Sequence, residues 1–205
     1  MKNKVGLACM LLGVALVLAA LALFLWNRQE DRQAKKTADQ VLPQLMEHIE
    51  AQRESVATGN APAGQQSETV QTDTEMTETV IDGYAYVGYL RIPDLGLELP
   101  VMSQWDEVRL KIAPCRYSGS TKADHLVIAG HNYVTHFGHL KYLAAGNQVE
   151  FTDMDGELYI YEVVLVETLP GTAVEEMTAG EYALTLFTCT YSGQDRVAVR
   201  CNLVG

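Results

Sequence analysis

The sequence predicts a single, mainly β domain, either a β-barrel or a β-sandwich, attached through a polar segment to an N-terminal membrane helix. Three observations lead to this prediction. Residues 5–26 form an apolar run without a charge, and residues 56–79 are rich in Ser, Thr, Gly, Gln and Glu. Residues 81–205 contain short runs of Val, Ile, Leu, Tyr and Thr separated by turn residues, which is typical of an all-β domain.

The apolar run is long enough to cross a membrane. Roughly 20 apolar residues at ~1.5 Å each span a hydrocarbon core of ~30 Å. Trp26, at the end of the run, suits the membrane–water interface. The alternative is a cleaved signal peptide with its cleavage site near residues 19–22. The apolar core of a signal peptide is usually shorter, about 7–15 residues, so we assign residues 1–27 to an uncleaved membrane anchor.

Residues 28–80 are predicted to form a juxtamembrane helix followed by a flexible stalk. The helix is indicated by apolar residues at helical spacing, namely Ala38, Val41, Leu42, Leu45 and Ile49. Pro43 lies inside this pattern and is expected to break or kink a continuous helix. We expect the helix to be solvated and without a specific partner. The stalk begins near Val56, where the composition becomes too polar to bury enough surface for ordering.

Seven strands and two short helices are predicted in the β domain, residues 81–205. The strands fall at residues 84–92, 97–101, 126–129, 148–152, 157–168, 184–188 and 196–202, and the helices at residues 106–113 and 139–144. Turn dipeptides separate the strands. Asp155-Gly156 lies between two alternating runs and predicts a hairpin with a type I′ turn.

Charge and cysteine content disfavour several classes of protein. With 15 Lys and Arg against 26 Asp and Glu, the net charge is −11, which argues against a nucleic-acid binder. The four cysteines include no CxxC pair, which argues against a zinc knuckle and a disulfide-rich mini-protein. His136 and His139 could ligate zinc, but no further ligands accompany them, so we expect no metal or cofactor. A disulfide between Cys115 and Cys201 is chemically allowed, but we expect two unpaired buried thiols.

The chemistry-bearing residues of the C-terminal part lie on one predicted hairpin. Cys189 ends the strand 184–189 and Arg196 opens the next strand. If these strands pair antiparallel, Cys189 lies opposite Arg196 and Thr185 lies opposite Arg200. Opposed residues share a face, with Cβ atoms about 4.5–5.5 Å apart. Arg200 is roughly 13 Å further along, at ~3.3 Å per residue, so Arg196 is the arginine within reach of Cys189.

His131 completes a candidate set for nucleophilic catalysis, because it directly follows an apolar strand. A cysteine attacks as the thiolate, which a nearby cation favours. An imidazole can serve as its proton partner, and the guanidinium of Arg196 can bind a substrate backbone or an oxyanion. The alternative is that Cys189 is a small buried apolar residue at the end of a strand.

These residues resemble a known family. Thr-Leu-Phe-Thr-Cys at residues 185–189 is followed seven residues later by Arg196, and Gly130-His131 lies upstream. Together with the segment 113–120, Ala-Pro-Cys-Arg-Tyr-Ser-Gly-Ser, this order resembles the sortases, the membrane-anchored cysteine transpeptidases of Gram-positive bacteria. The resemblance implies a closed β-barrel of seven to eight strands.

The resemblance also implies roles for individual residues. It makes His131, Cys189 and Arg196 the catalytic triad and places Thr188 in the substrate-binding site. It implies an N-terminal anchor with the barrel outside the cell. The positive-inside rule alone would favour a cytoplasmic C-terminus, because four basic residues follow the span, namely Arg28, Arg32, Lys35 and Lys36.

The expected activity is cleavage of an LPxTG-like sorting motif in surface proteins and transfer of the acyl group to an amine of a cell-wall precursor or a pilin. The partners are therefore sorting-signal peptides, the amine acceptor and the membrane, and no nucleic acid. Two alternatives remain at this point. One is a membrane-tethered cysteine peptidase or hydrolase with the same triad, and the other is a non-catalytic β-barrel binding module.

The sortase class stays open. The short segment between residues 168 and 184 leaves little room for the helical insertion of class B sortases. No hydrophobic tail follows Gly205 as in many class C enzymes, and no Asp-Pro-Trp type lid precedes the barrel. These departures favour a short class D-like or unassigned type. Some sortases bind calcium near the loop before the cysteine strand, but we expect a solvated acidic loop there, which includes Glu175, Glu176 and Glu181.

Overall fold

The computed structural model describes residues 2–57 and 75–205. Its helices are α1 (Lys2–Ala57), α2 (Glu107–Leu110) and α3 (Val174–Thr178). Its strands are β1 (Thr79–Ile81), β2 (Tyr84–Ile92), β3 (Leu97–Met102), β4 (Cys115–Ser120), β5 (His125–Ala129), β6 (Gln148–Asp153), β7 (Leu158–Pro170), β8 (Leu184–Cys189) and β9 (Asp195–Leu203). Most of the predicted stalk, residues 58–74, lies outside the described residues.

Eight strands close into a barrel in the order β2–β3–β4–β5–β8–β9–β7–β6, and β6 pairs back with β2. β1 extends the sheet by pairing with β2. The β3–β4 and β5–β8 pairs are parallel. The predicted closed barrel of seven to eight strands is confirmed. Gly88 of β2 permits the closure, because a Cβ at this position would lie 2.1 Å from the carbonyl oxygen of Thr152 in β6.

The two faces of β8 have different surroundings. Leu184 and Leu186 point into the barrel interior and belong to its main hydrophobic core. Phe187 belongs to a second cluster with Met177 of α3. Because side chains alternate along a strand, Cys189 shares the outer face with Phe187. A site built on Cys189 therefore lies outside the barrel interior.

The juxtamembrane part of α1 packs against the barrel, so the expectation of a solvated helix is wrong. One stripe of the helix is buried, and it comprises Ala34, Ala38, Val41, Leu45 and Ile49. The helix also continues through Pro43, contrary to the expected break. Pro43 and Asp39 are both exposed, so water can satisfy the Asp39 carbonyl that lacks its helical donor. The buried stripe holds the helix to the barrel on both sides of the proline.

The N-terminal part of α1 has a different character from this docked part. By length and composition, α1 contains one candidate membrane span, and none of the most apolar window is buried against the rest of the described chain. An exposed apolar segment of this length suits a single-pass membrane anchor.

Short polar segments account for two differences from the prediction. The prediction lacks β4 and α3. The Ser-Gly-Ser end of β4 shows no apolar alternation, and the acidic start of α3 shows no apolar residues at helical spacing. β4 becomes a strand through its pairing with β5. The helix predicted at residues 106–113 shortens to α2, and the one at 139–144 shortens to a 3-10 turn at Leu140–Tyr142.

The type I′ turn occurs at a different Asp-Gly pair from the predicted one. Asp82-Gly83 connects β1 to β2, and both residues have a positive φ, 51° and 82°. β6 and β7 do form the predicted hairpin. Its connection spans residues 154–157, and only Gly156 has a positive φ. The predicted type I′ turn at Asp155-Gly156 is therefore wrong, because that turn needs two such residues.

Candidate active site

A cleft of about 150 Å³ lies beside the ends of β5 and β8. All four residues that the sequence singles out line this cleft, namely His131, Thr188, Cys189 and Arg196. The remaining lining residues are Trp105, Glu107, Leu110, Ala129, Gly130, Asn132 and Phe187. The fold therefore brings the candidate set together from the β5–β6 loop, β8 and β9.

The β8–β9 hairpin sets Cys189 beside Arg196. The two residues are direct cross-strand partners, and Thr185 is the partner of Arg200, as the hairpin geometry predicts. Cys189 is a free thiol and is partly exposed. The guanidinium of Arg196 donates hydrogen bonds to the carbonyl oxygens of Gly193 and Asp195, each at 3.1 Å. These bonds hold the cation at the base of the β8–β9 loop.

His131 is brought to the same place by the parallel pairing of β5 with β8. The last pair of this ladder joins Ala129 to Phe187, and the amide of Gly130 extends it by donating to the Phe187 carbonyl at 3.0 Å. His131 is the next residue. Gly130 allows close packing here, since a Cβ would lie 2.3 Å from the ring of Phe137.

The loop after His131 is tied to the loop after Cys189. The Asn132 side-chain amide donates to the Thr190 carbonyl oxygen at 3.4 Å, and the Phe137 amide donates to the His131 carbonyl at 3.1 Å. The His131 backbone is thus fixed relative to the cysteine by contacts on both sides.

Burial is the main influence on the His131 imidazole, and it lowers the pKa of the ring below its usual value. Lys111 acts in the same direction, whereas Glu30 and Glu107 oppose the shift. The ring stacks on Tyr133 with a centroid distance of 3.8 Å and an interplanar angle of 21°. A neutral imidazole beside a thiol can accept the thiol proton, and the imidazolium so formed can protonate a leaving amine.

Comparison with known proteins decides the family. The family model of the sortase domain matches residues 90–204, which is more than half of the chain. The chain belongs to the sortase family. The family recognised from the sequence motifs is thus confirmed, and sortases are cysteine transpeptidases. A search of curated proteins finds no match.

Solved sortases share the fold at low sequence identity. The sortase D5 transpeptidase of Clostridium perfringens is 16% identical, with 85% of this chain and 99% of that chain covered and a TM-score of 0.56. Sortase A of Corynebacterium diphtheriae is 17% identical, covering 87% and 94%, with a TM-score of 0.53. Sortase C1 of Streptococcus suis is 23% identical, covering 58% and 73%, with a TM-score of 0.52. These similar structures carry the names of three classes, so the class of this sortase stays open.

Thr188 of the sortase has an environment unlike that of Cys189. Its side chain is 4% exposed, and its hydroxyl has no hydrogen-bond partner among the described residues. A buried hydroxyl without a partner is unusual in proteins. Thr188 has the same position in the alternation of β8 as Leu184 and Leu186, so its side chain lies on the opposite face of the strand from that of Cys189.

The sortase uses its second strand arginine, Arg200, in a structural role. Arg200 is 3% exposed and donates to the Glu167 carboxylate at 2.9 Å and to the Thr185 hydroxyl at 3.1 Å. It also donates to the carbonyl oxygens of Met177 and Glu176 in α3. Arg200 is thus buried away from the cleft, whereas Arg196 lines it.

An aromatic wall, Trp105, Tyr117 and Phe187, borders the cleft of the sortase, and sequence reasoning missed it. The rings of Trp105 and Tyr117 meet edge to face at 5.5 Å, and those of Tyr117 and Phe187 at 5.2 Å. Beyond the wall lies a larger groove of about 650 Å³, whose lining includes Arg116 and His125. The only sequence signal for this wall is a tryptophan placed in a polar turn after a strand.

The remaining candidates of the sortase stay outside the cleft. Cys115 and Cys201 are free and buried, and burial raises the pKa of each thiol to about 12. The disulfide between Cys115 and Cys201, which the sequence left open, is absent in this structure. His136 is fully buried, whereas His139 contacts the ring of Tyr142. Among residues 2–57 and 75–205, no group of three His, Cys, Asp or Glu side chains is arranged to hold a metal ion.

Proposed function

We propose that this sortase is a membrane-anchored transpeptidase in which Cys189 is the nucleophile, His131 the proton partner and Arg196 the substrate- and oxyanion-binding cation. The observation that supports this assignment most strongly is the convergence of a free, partly exposed thiol, a guanidinium and an imidazole on one cleft. The substrate is a surface protein with an LPxTG-like sorting motif.

The first step forms a thioester. The thiolate of Cys189 attacks the backbone carbonyl carbon of the scissile peptide bond, and a carbon–sulfur bond forms. The carbon–nitrogen bond then breaks, and the leaving amine takes a proton from the His131 imidazolium. Arg196 faces the thiol across the hairpin, where its fixed positive charge stabilises the oxyanion of the tetrahedral intermediate.

The second step transfers the acyl group to an amine of a cell-wall precursor or a pilin. The incoming amine gives its proton to the neutral His131 ring as it attacks the thioester carbon, and the Cys189 thiolate leaves. The aromatic wall provides an apolar surface for an extended peptide, and the groove beyond it offers polar groups such as Arg116 and His125. Thr188 is proposed as a substrate-binding residue, which is supported by its place in the lining of the cleft.

The location of the reaction follows from the anchor. We assign residues 1–27 to a single membrane span and place the barrel on the extracellular side, where sorting signals and cell-wall precursors are found. The apolar, exposed N-terminal part of α1 supports the span, and the sortase family supports this orientation.

The test uses the full-length protein in detergent micelles with a peptide that contains an LPxTG motif. Mass spectrometry should detect an acyl-enzyme in the wild type and none in Cys189→Ala. Cys9→Ala is the matched control, because Cys9 is an exposed cysteine of α1 far from the cleft along the chain. Unchanged peptide turnover in Cys189→Ala would refute the assignment.

The same assay separates transfer from hydrolysis. A glycine peptide or hydroxylamine added to the reaction should divert the acyl group into an amide or hydroxamate product. If the free acid forms at the same rate with and without the added amine, the enzyme is a hydrolase with the same triad. A thiol-reactive probe tests the binding-module alternative, because only a Cys189 activated by its neighbours should react faster in the folded protein than in the unfolded chain.

A further inference from the structure

The turn of α1 nearest the membrane anchor contacts the loop that carries His131. The hydroxyl of Tyr133 donates a hydrogen bond to the Glu30 carboxylate at 3.2 Å. One residue further along α1, the Asp31 carboxylate accepts bonds from the amide and hydroxyl of Thr135, at 3.1 Å and 2.5 Å. The Thr135 hydroxyl also lies 3.2 Å from the Asp31 carbonyl oxygen, so four hydrogen bonds join α1 to this loop.

Tyr133 lies between Glu30 and His131. The Tyr133 ring is 4% exposed and stacks on the His131 imidazole at 3.8 Å, while His136 packs near it at 5.7 Å. The ring is therefore enclosed, and its hydroxyl end is fixed by Glu30. A stack that is fixed in this way limits rotation of the imidazole out of its plane.

Glu30 is itself held from two directions. Its second carboxylate oxygen accepts a hydrogen bond from the indole nitrogen of Trp26 at 3.1 Å. On the other side, Ala34 and Ala38 bury the following turns of α1 against the barrel. Trp26 is the last residue of the apolar run, so the chain of contacts extends from the end of the anchor to the imidazole.

We propose that Glu30 and Tyr133 are positioning residues for His131, so that docking of the membrane-proximal turn of α1 sets the orientation of the catalytic imidazole. This inference rests on the proposed role of His131. It makes the anchor helix a part of the catalytic apparatus as well as a tether.

The charges around His131 make the proposal testable by pH. Glu30 approaches from α1 and Glu107 from α2, and both favour the protonated ring, whereas Lys111 disfavours it. Arg196 lines the same cleft from β9, and His136 lies beside the Tyr133 ring with its own ring tilted by 53°. Removing the Glu30 charge should therefore lower the His131 pKa further, because burial and Lys111 remain.

Three variants separate the charge, the hydroxyl and the ring. Glu30→Gln removes the charge and keeps the shape; its carbonyl oxygen can accept from the Trp26 indole, and its amide can donate to the Tyr133 hydroxyl. Tyr133→Phe keeps the stack and loses the hydroxyl, and Tyr133→Leu loses both. Glu47→Gln is the matched control, because Glu47 is an exposed glutamate on the same helix.

The experiment measures the pH dependence of acyl-enzyme formation and the ring resonances of isotope-labelled histidine in the full chain in micelles. The His131 resonance is identified as the one that is missing from the spectrum of His131→Ala. We expect Glu30→Gln to move the acidic limb of the rate profile and the His131 titration midpoint to lower pH. Tyr133→Leu should lower kcat by on the order of tenfold with little change in KM and should remove the ring-current shift of His131, which Tyr133→Phe retains.

The proposal is overturned if the Glu30 and Tyr133 variants show the same His131 resonance, the same His131 titration midpoint and the same kcat as Glu47→Gln. Unfolding of a variant does not produce this result, since Glu30→Gln and Tyr133→Phe conserve shape and their melting is checked alongside. If no acyl-enzyme forms in the wild type, the proposed function fails. The histidine resonances still test the positioning, because they require no turnover.

Discussion

His136 provides a stability prediction that depends on pH. The side chain has no exposed surface, and neither ring nitrogen has a hydrogen-bond partner among the described residues. Burial lowers the pKa of this imidazole from 6.5 to about 4, with a smaller contribution from His131 and a partial opposition from Asp31. The ring is therefore neutral in the folded protein at neutral pH.

The shift determines how acid affects folding. Below about pH 6.5 the imidazole of the unfolded chain binds a proton, whereas the folded chain resists protonation until about pH 4. The free energy of unfolding is therefore fully retained above pH 6.5 and falls between pH 6.5 and pH 4. A difference of this size in pKa corresponds to roughly 3 kcal/mol for the single group.

Urea unfolding of the barrel at pH 7 and pH 4, followed by tyrosine and tryptophan fluorescence, measures this contribution. Between pH 7 and pH 4, the free energy of unfolding of His136→Leu should fall by roughly 2–3 kcal/mol less than that of the wild type. The variant should also be about as stable at pH 7, since no hydrogen bond is lost. Burial raises the pKa of Asp153, so this carboxyl group changes the free energy of unfolding in the opposite direction as the pH falls. Its contribution is the same in both proteins and cancels in the comparison. The exposed His48 gives the control His48→Leu. An equal loss in the wild type and His136→Leu would refute the reasoning.

Two further predictions concern Arg200 and Gly130. Arg200→Ala should lower the free energy of unfolding by roughly 2–4 kcal/mol, because it leaves the buried acceptors of Met177 in α3 and Thr185 in β8 without this donor; an unchanged melting temperature would contradict this. Gly130→Ala should slow acyl-enzyme formation by on the order of a hundredfold, since its Cβ would clash with the Phe137 ring and displace His131. Kinetics with the sorting peptide check this, and wild-type rates in Gly130→Ala would show that the loop accommodates the methyl group.

The β8–β9 part of the site could be predicted from the sequence because it is local. Two strong strand patterns follow each other across a short loop, and antiparallel pairing then fixes which residues are opposite. Cys189 and Arg196 are therefore placed by the hairpin itself. The position of His131 needed the family resemblance, because the parallel pairing of β5 with β8 joins distant parts of the chain and leaves no periodic signal.

The docking of α1 could not be predicted in the same way. A stripe of small and aliphatic residues on a helix indicates that one face is buried, but it does not name the partner. Glu30 and Tyr133 are separated by 103 positions, and neither residue belongs to a recognisable motif. The solvated helix was the wrong interpretation because the burying surface is formed by strands that only tertiary structure brings together.

The docked helix also changes the interpretation of the polar segment at residues 58–74. On one side of it, Arg53 donates a hydrogen bond to the carbonyl of Gly156. On the other side, the Thr77 hydroxyl donates to the Asp155 carboxylate at 2.7 Å. Both flanks therefore meet the same β6–β7 turn. We infer that the distance between the membrane and the barrel is set by α1, in which only one helical turn, about 6 Å, separates Trp26 from Glu30. A longer polar segment would leave that distance unchanged, whereas an insertion between Trp26 and Glu30 would increase it.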